Sequence, residues 1–218
     1  MITSDTRLAW ALARDDGMRS QHGVIVDKLE VGCDVQVGVR GSVGAGVNAD
    51  YARVAACIAG LPKHVQAAGD AMNCRGVLSD SSYKQASSFA ALAASQMVGQ
   101  QLKGFPQWSQ ERQRMLYWVA LAAVERVWVQ LHGIPEKIDH QGRQEGRTLD
   151  EPWKVGKWLR GRHHQSLGLK NWGKQWAAVW DMLQDAITEM DAAAIDAADD
   201  CIHAQRKAQK ARRYSLQG

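Results

Sequence analysis

The side chains best equipped for chemistry in this sequence are its bases, and they come in blocks. Between Pro152 and Trp176 stand Lys154, Lys157, Arg160, Arg162, Lys170 and Lys174 with no acid among them, and Arg206, Lys207, Lys210, Arg212 and Arg213 form a second acid-free group. The stretch between them is the reverse: Asp181, Asp185, Glu189, Asp191, Asp196, Asp199 and Asp200 occur with no base. The whole chain sums to only +4, from 27 Lys and Arg against 23 Asp and Glu, so the net charge hides this segregation. A partner responds to charge within a Debye length of about 8 Å at physiological salt, and on that scale the blocks act separately. Cationic clusters of this kind neutralise phosphates and release counterions, which is the chemistry of nucleic-acid binding.

The spacing suggests how DNA would be met. A helix over 152–162, a turn and a second helix opening at Asn171 form a helix-turn-helix-like pair, with a turn of about eight residues where the strict motif has three or four. Asn171, Lys174 and Gln175 then stand at the start of the second helix. Asn and Gln carry the paired donor and acceptor that suit adenine, and Lys suits guanine or phosphate. Lys154, Lys157, Arg160, Arg162, His163, His164 and Lys170 would contact the backbone, and Arg206, Lys207, Lys210, Arg212 and Arg213 would add salt-sensitive affinity. Two plainer readings stand beside this one. The charges can be the solvated faces of packed helices, and the acidic run can serve as a protein interface.

Other chemistries find little support. His163 and His164 are adjacent and point about 100° apart on a helix, so they do not share a metal. His132, Asp139 and His140 match no metal spacing, and Gly38–Gly46 lacks the pattern of a phosphate loop. No nucleophile elbow or zinc-protease motif occurs. The reading is of a non-enzyme with no catalytic residues, no metal and no cofactor. Cys33, Cys57, Cys74 and Cys201 contain no CxxC pair and read as small, partly buried thiols.

These residues must be held by helices. Ser4 or Asp5 caps a helix over 4–16, and Asn48 precedes one over 50–59 that ends at Gly60 and Pro62. Further helices are expected over 64–73 and over 82–102, the latter Ala- and Ser-rich with Phe89, Leu92, Met97 and Val98 along one side. A central buried helix runs over 107–131, ended by Gly133 and Pro135. Pro152 opens the next helix from its first turn, with Trp153 and Trp158 set to pack on Trp172 or Trp176. Trp172, Trp176, Trp180, Leu183, Ile187 and Met190 step by three or four along one face. An unbroken helix from Trp172 to Arg213 would span roughly 63 Å, with a break near Asp191 as the alternative. Only 23–47 alternates with period two, through Val24, Val26, Val35, Val37 and Val39, and predicts a small β-hairpin.

The expected fold is mainly α: a helical bundle with a small N-terminal β-hairpin and a C-terminal helix-turn-helix-like pair. Residues 1–132 form the body, 133–150 a linker or exposed loop, and 151–218 the basic region with its long helix. No apolar run reaches the length of about 18 residues that a membrane span needs. Asp5, Arg7, Arg14 and Asp15 interrupt the N-terminus where a signal peptide is apolar, so a cytoplasmic protein is expected.

The run from Trp153 through WLRGRHHQSLGLKNWGKQWAAVW, with an upstream Ala-rich helix and the apolar Trp-containing helix MLYWVALAAVERVWV, resembles regulatory proteins of temperate bacteriophages, including the Q-type late antitermination class. The resemblance covers mainly the last third of the chain. It implies DNA binding and contact with RNA polymerase, hence a transcription regulator. One branch of that class has a zinc-binding cysteine cluster that this chain lacks, so zinc is not implied. A protein-binding adaptor or inhibitor of a host protein, using residues 181–200, is the alternative, and the C-terminal helix is also suited to pairing with its copy in a homodimer.

Overall fold

A computed structural model describes residues 5–14, 51–133, 149–166 and 172–215. Among these, about 85% are helical and none lies in a strand. The mixed reading is thereby corrected: what is described is all helical, and the segment 23–47 expected to form a hairpin lies outside the described residues. Most of the expected linker, 134–148, lies outside them too. The helices are α1 (Thr6–Arg14), α2 (residues 51–59), α3 (Lys63–Asn73), α4 (Asp80–Gln101), α5 (Gln110–His132), α6 (Pro152–His163), α7 (Trp172–Gln175) and α8 (Ala177–Ser215). A single 3-10 turn, Phe105–Gln107, joins α4 to α5. No helix among the described residues is long and apolar enough to cross a membrane. The chain divides into two compact units, residues 1–83 with 193–218, and residues 84–192.

The first unit is organised around α3. Val65 to Met72 are all buried, which a helix manages on every face only if its side chains are small, and here four of the eight are Ala or Gly. α1 starts where the Asp5 carboxylate accepts a hydrogen bond from the Leu8 N–H at 3.1 Å, an N-cap as the sequence indicates. It lays Trp10, fully buried, against Gly69 of α3. A Cβ at position 69 would lie 2.3 Å from the indole, so this close approach requires glycine. Around Trp10 the core gathers Ala9, Val54, Ile58, Val65, Cys74, Leu78, Ala194, Ala198 and Ile202. Gln66 holds the α2–α3 turn by donating to the carbonyls of Leu61 at 2.6 Å and Ala59 at 3.1 Å.

Polar contacts tie the same elements together. Asp70, buried to 4% exposure, accepts from the Trp10 Nε1–H at 3.0 Å and from Arg14 through both Nε, at 2.8 Å, and Nη2. Arg7 donates to Asn73 at 2.7 Å, and Thr6 to Asp199 at 2.9 Å. Cys57 and Cys201, 144 residues apart in sequence, form a disulfide between α2 and α8. That corrects the reading of four thiols: sequence spacing does not reveal which cysteines a fold brings together. Cys74 is free and buried, while Cys33 lies outside the described residues. Burial first, and the nearby Asp70 carboxylate second, push the Cys74 thiol far above its ordinary value of 9.0.

In the second unit α4 turns its small residues inward. Ala86, Ser87, Ala90, Ala91, Ala94, Ser95, Val98 and Gly99 are buried, whereas Phe89 and Leu92 are 45% and 42% exposed. Of the residues that the sequence sets along one side, Val98 is buried while Phe89 and Leu92 face solvent, because the inner side is the one whose small residues allow close approach. Gly99 shows it, since a Cβ there would meet the Phe105 ring at 2.8 Å. Ser109 caps α5 by accepting from the Arg112 N–H at 3.3 Å, and Leu116 to Val129 supply its buried residues. α5 ends where Gly133 takes a left-handed φ of 53°, the stop that the sequence predicts.

Candidate nucleic-acid interface

α6 is built by its ends. Leu149, 2% exposed, anchors the incoming chain, and Pro152 occupies the first turn, where its missing N–H costs nothing. Val155, Gly156 and Leu159 then turn inward, which leaves the opposite side of the helix to solvent. At the far end His164 adopts φ 53° and its N–H bonds back to the Leu159 carbonyl, closing the helix.

Lys157, Arg160, Arg162 and His164 are exposed, and no ion pair to Lys157, Arg160 or Arg162 occurs among the described residues. Lys154 differs. Its ammonium sits 2.7 Å from Asp150 and 3.4 Å from Glu151, so its charge is already spent locally. The hydrogen bond to Asp150 is the main cause that raises its pKa. His163 is half-buried, its ring centroid 5.2 Å from that of Trp118 and 4.9 Å from that of Trp158. Desolvation, followed by the positive Arg162 and His164, lowers its pKa. It thus packs in a Trp–His–Trp cluster. The Trp118 Nε1 in that cluster is buried without a hydrogen-bond partner among the described residues.

The second helix of the expected pair is much shorter than the sequence suggests. α7 is a single turn of four residues, and the chain makes a turn at Trp176 before α8 begins. Four indoles pair around the interruption: Trp176 meets Trp108 at 6.4 Å, and Trp172 meets Trp180 at 5.8 Å. Arg112 lies over the Trp108 ring at 3.8 Å. Lys174 and Gln175 are exposed on this turn, while Lys170 and Asn171 lie outside the described residues. From Ala177 the helix continues for 39 residues without a break at Asp191, about 58 Å at 1.5 Å per residue. Trp176, Trp180, Leu183, Ile187 and Met190 are buried, as their spacing indicates. Asp181, Asp185 and Glu189 are exposed, but Asp191 is buried.

The second basic group lies on the last turns of α8, in the first unit. Lys207 and Lys210 are exposed and Arg206 is half-buried; of Arg212 and Arg213 only the helical backbone is described.

Sequence reasoning missed Trp153. Expected to pack on Trp172 or Trp176, it is instead 53% exposed, and its Nε1–H donates to Glu151. The signal was present: 153, 157 and 160 are spaced by four and three, one side of a helix, and that side already holds two exposed bases. No group of three or more His, Cys, Asp or Glu suited to a metal occurs among the described residues. No known family model, curated protein or solved structure matches the chain.

Proposed function

We propose that the protein is a nucleic-acid-binding regulator of transcription that meets phosphate through the exposed bases of α6. The observation that carries this reading is the exposure of Lys157, Arg160 and Arg162 within two turns of one helix, with no carboxylate paired to them among the described residues. Unpaired, solvated cations on a rigid element keep their full attraction for phosphate, whereas Lys154, tied to Asp150 and Glu151, contributes little. Exposed Lys174 supplements the group in the same unit, and Lys207 and Lys210 can add further non-specific affinity. A cytoplasmic setting goes with this role.

The test is the salt dependence of binding to labelled DNA. Replacing Lys157, Arg160 and Arg162 together with Ala should weaken binding and lower the slope of log affinity against log salt by roughly 2 to 3, at about 0.7 to 0.9 per lost phosphate contact. Unchanged affinity and slope would refute the role. A second reading, an adaptor for a basic protein partner, draws on Asp181, Asp185 and Glu189, which are exposed at four-residue spacing along α8. A partner retained after nuclease treatment and lost on Asp181→Asn, Asp185→Asn and Glu189→Gln would favour it.

A further inference from the structure

Resting on the nucleic-acid reading above, we propose that the strand bound at α6 is single, and that Trp153 is the platform on which one of its unpaired bases stacks. The chain contains nine tryptophans. Trp10 is fully buried, and Trp108, Trp118, Trp128, Trp158, Trp172, Trp176 and Trp180 each pack against another ring. Among the described residues Trp153 does neither, and more than half of its surface faces water. Leaving an indole in solvent forgoes a large hydrophobic gain, so its position calls for a partner with an apolar face.

The indole is also held in place. Its N–H is tied to Glu151, Pro152 fixes the backbone immediately before it, and the Lys154 ammonium lies 5.8 Å from the ring centre. Such a ring loses little freedom on binding. Lys157 and Arg160 follow on the same side, about 6 and 10.5 Å further along the helix axis. A base stacked on the ring thus has cations one and two turns away for the phosphates that follow it. Asp150 and Glu151 would repel a phosphate placed beside the ring, but Lys154 bridges both, and the contact made there is with a base.

Duplex DNA fits this surface less well. Its bases present only their edges, since their faces are covered by their neighbours in the stack. Reading those edges needs a helix that enters the major groove, and the element expected to do so is the single turn α7. A single strand has open base faces and asks only for an aromatic ring flanked by positive charge.

The experiment compares fluorescently labelled oligo(dT) with a duplex of equal length, on the full chain and on Trp153→Ala, Trp153→Phe and the Lys157→Ala/Arg160→Ala pair. The single strand should bind more tightly than the duplex. Trp153→Ala should lose at least about fivefold in single-strand affinity, the low end of what one stacked base contributes, with the salt slope unchanged. Trp153→Phe, which keeps an aromatic face, should recover most of the loss, and the double lysine–arginine variant should lower the slope instead. Trp153 is exposed, so unchanged helix content by circular dichroism confirms that these losses are not unfolding. If the chain binds both forms equally, or if Trp153→Ala binds oligo(dT) as the native chain does, the stacking proposal is overturned and the phosphate-binding reading stands. If it binds neither form, both are overturned.

Discussion

Removing the Asp70 carboxylate should be among the most damaging single changes in the first unit. Asp70 is 4% exposed and takes hydrogen bonds from Trp10 at 3.0 Å and from both sides of the Arg14 guanidinium. Breaking a buried ion pair costs about 3–5 kcal/mol where the surviving charge stays buried. The Arg14 side chain is 34% exposed and can recover water, which removes part of that cost. The Trp10 N–H cannot, because its side chain is fully buried, and a stranded donor costs about 1–3 kcal/mol. Asp70→Ala should therefore lose about 2–4 kcal/mol. Asp70→Asn keeps an acceptor for the indole and gives up only the charge, so about 1–2 kcal/mol is expected. Urea unfolding followed by circular dichroism gives both values, and a double-mutant cycle with Arg14→Ala should show coupling above about 1 kcal/mol. If Asp70→Asn is as harmful as Asp70→Ala, or the coupling vanishes, the carboxylate is not what joins α1 to α3.

Two further outcomes are expected. Reducing the Cys57–Cys201 bond, which closes a loop of 144 residues, should lower stability by about 2–5 kcal/mol on the loop-entropy model, and Cys57→Ser/Cys201→Ser should match the reduced protein in the same unfolding assay; equal midpoints with and without dithiothreitol would count against a formed bond. His163, whose pKa the fold lowers beneath its ordinary 6.5, stabilises the Trp118–Trp158 cluster fully above that pH, and this contribution should fade as the pH falls and the ring takes up its proton. NMR titration should place its midpoint below 6.5, and a midpoint at or above that value would contradict the packing described.

Several helix ends were legible in the sequence because each rests on local chemistry: the Asp5 cap, Pro152 in a first turn, and the left-handed Gly133. The buried spacing of Trp176, Trp180, Leu183 and Ile187 was legible for the same reason, as a helical period needs no knowledge of the partner. The side of α4 that turns inward was legible only in part: its Ala and Ser content points to close approach, but the sequence sets Val98 on one side with Phe89 and Leu92, which the packing leaves exposed. The Asp70 cluster and the Cys57–Cys201 bond were not legible, since their members are 56 or more residues apart and meet only in the folded chain. At the candidate interface the bases of α6 were found by composition. The exposure of Trp153 was hidden by the usual tendency of indoles to be buried.

At position 69 the specification is a vacancy. With the indole 2.3 Å from where a methyl group would sit, any side chain there must evict Trp10, and eviction also removes the N–H that Asp70 receives. One added carbon would thus undo a hydrophobic contact and a polar one together. Even alanine, the mildest exchange on paper and the better helix former, cannot be taken up here without moving the indole.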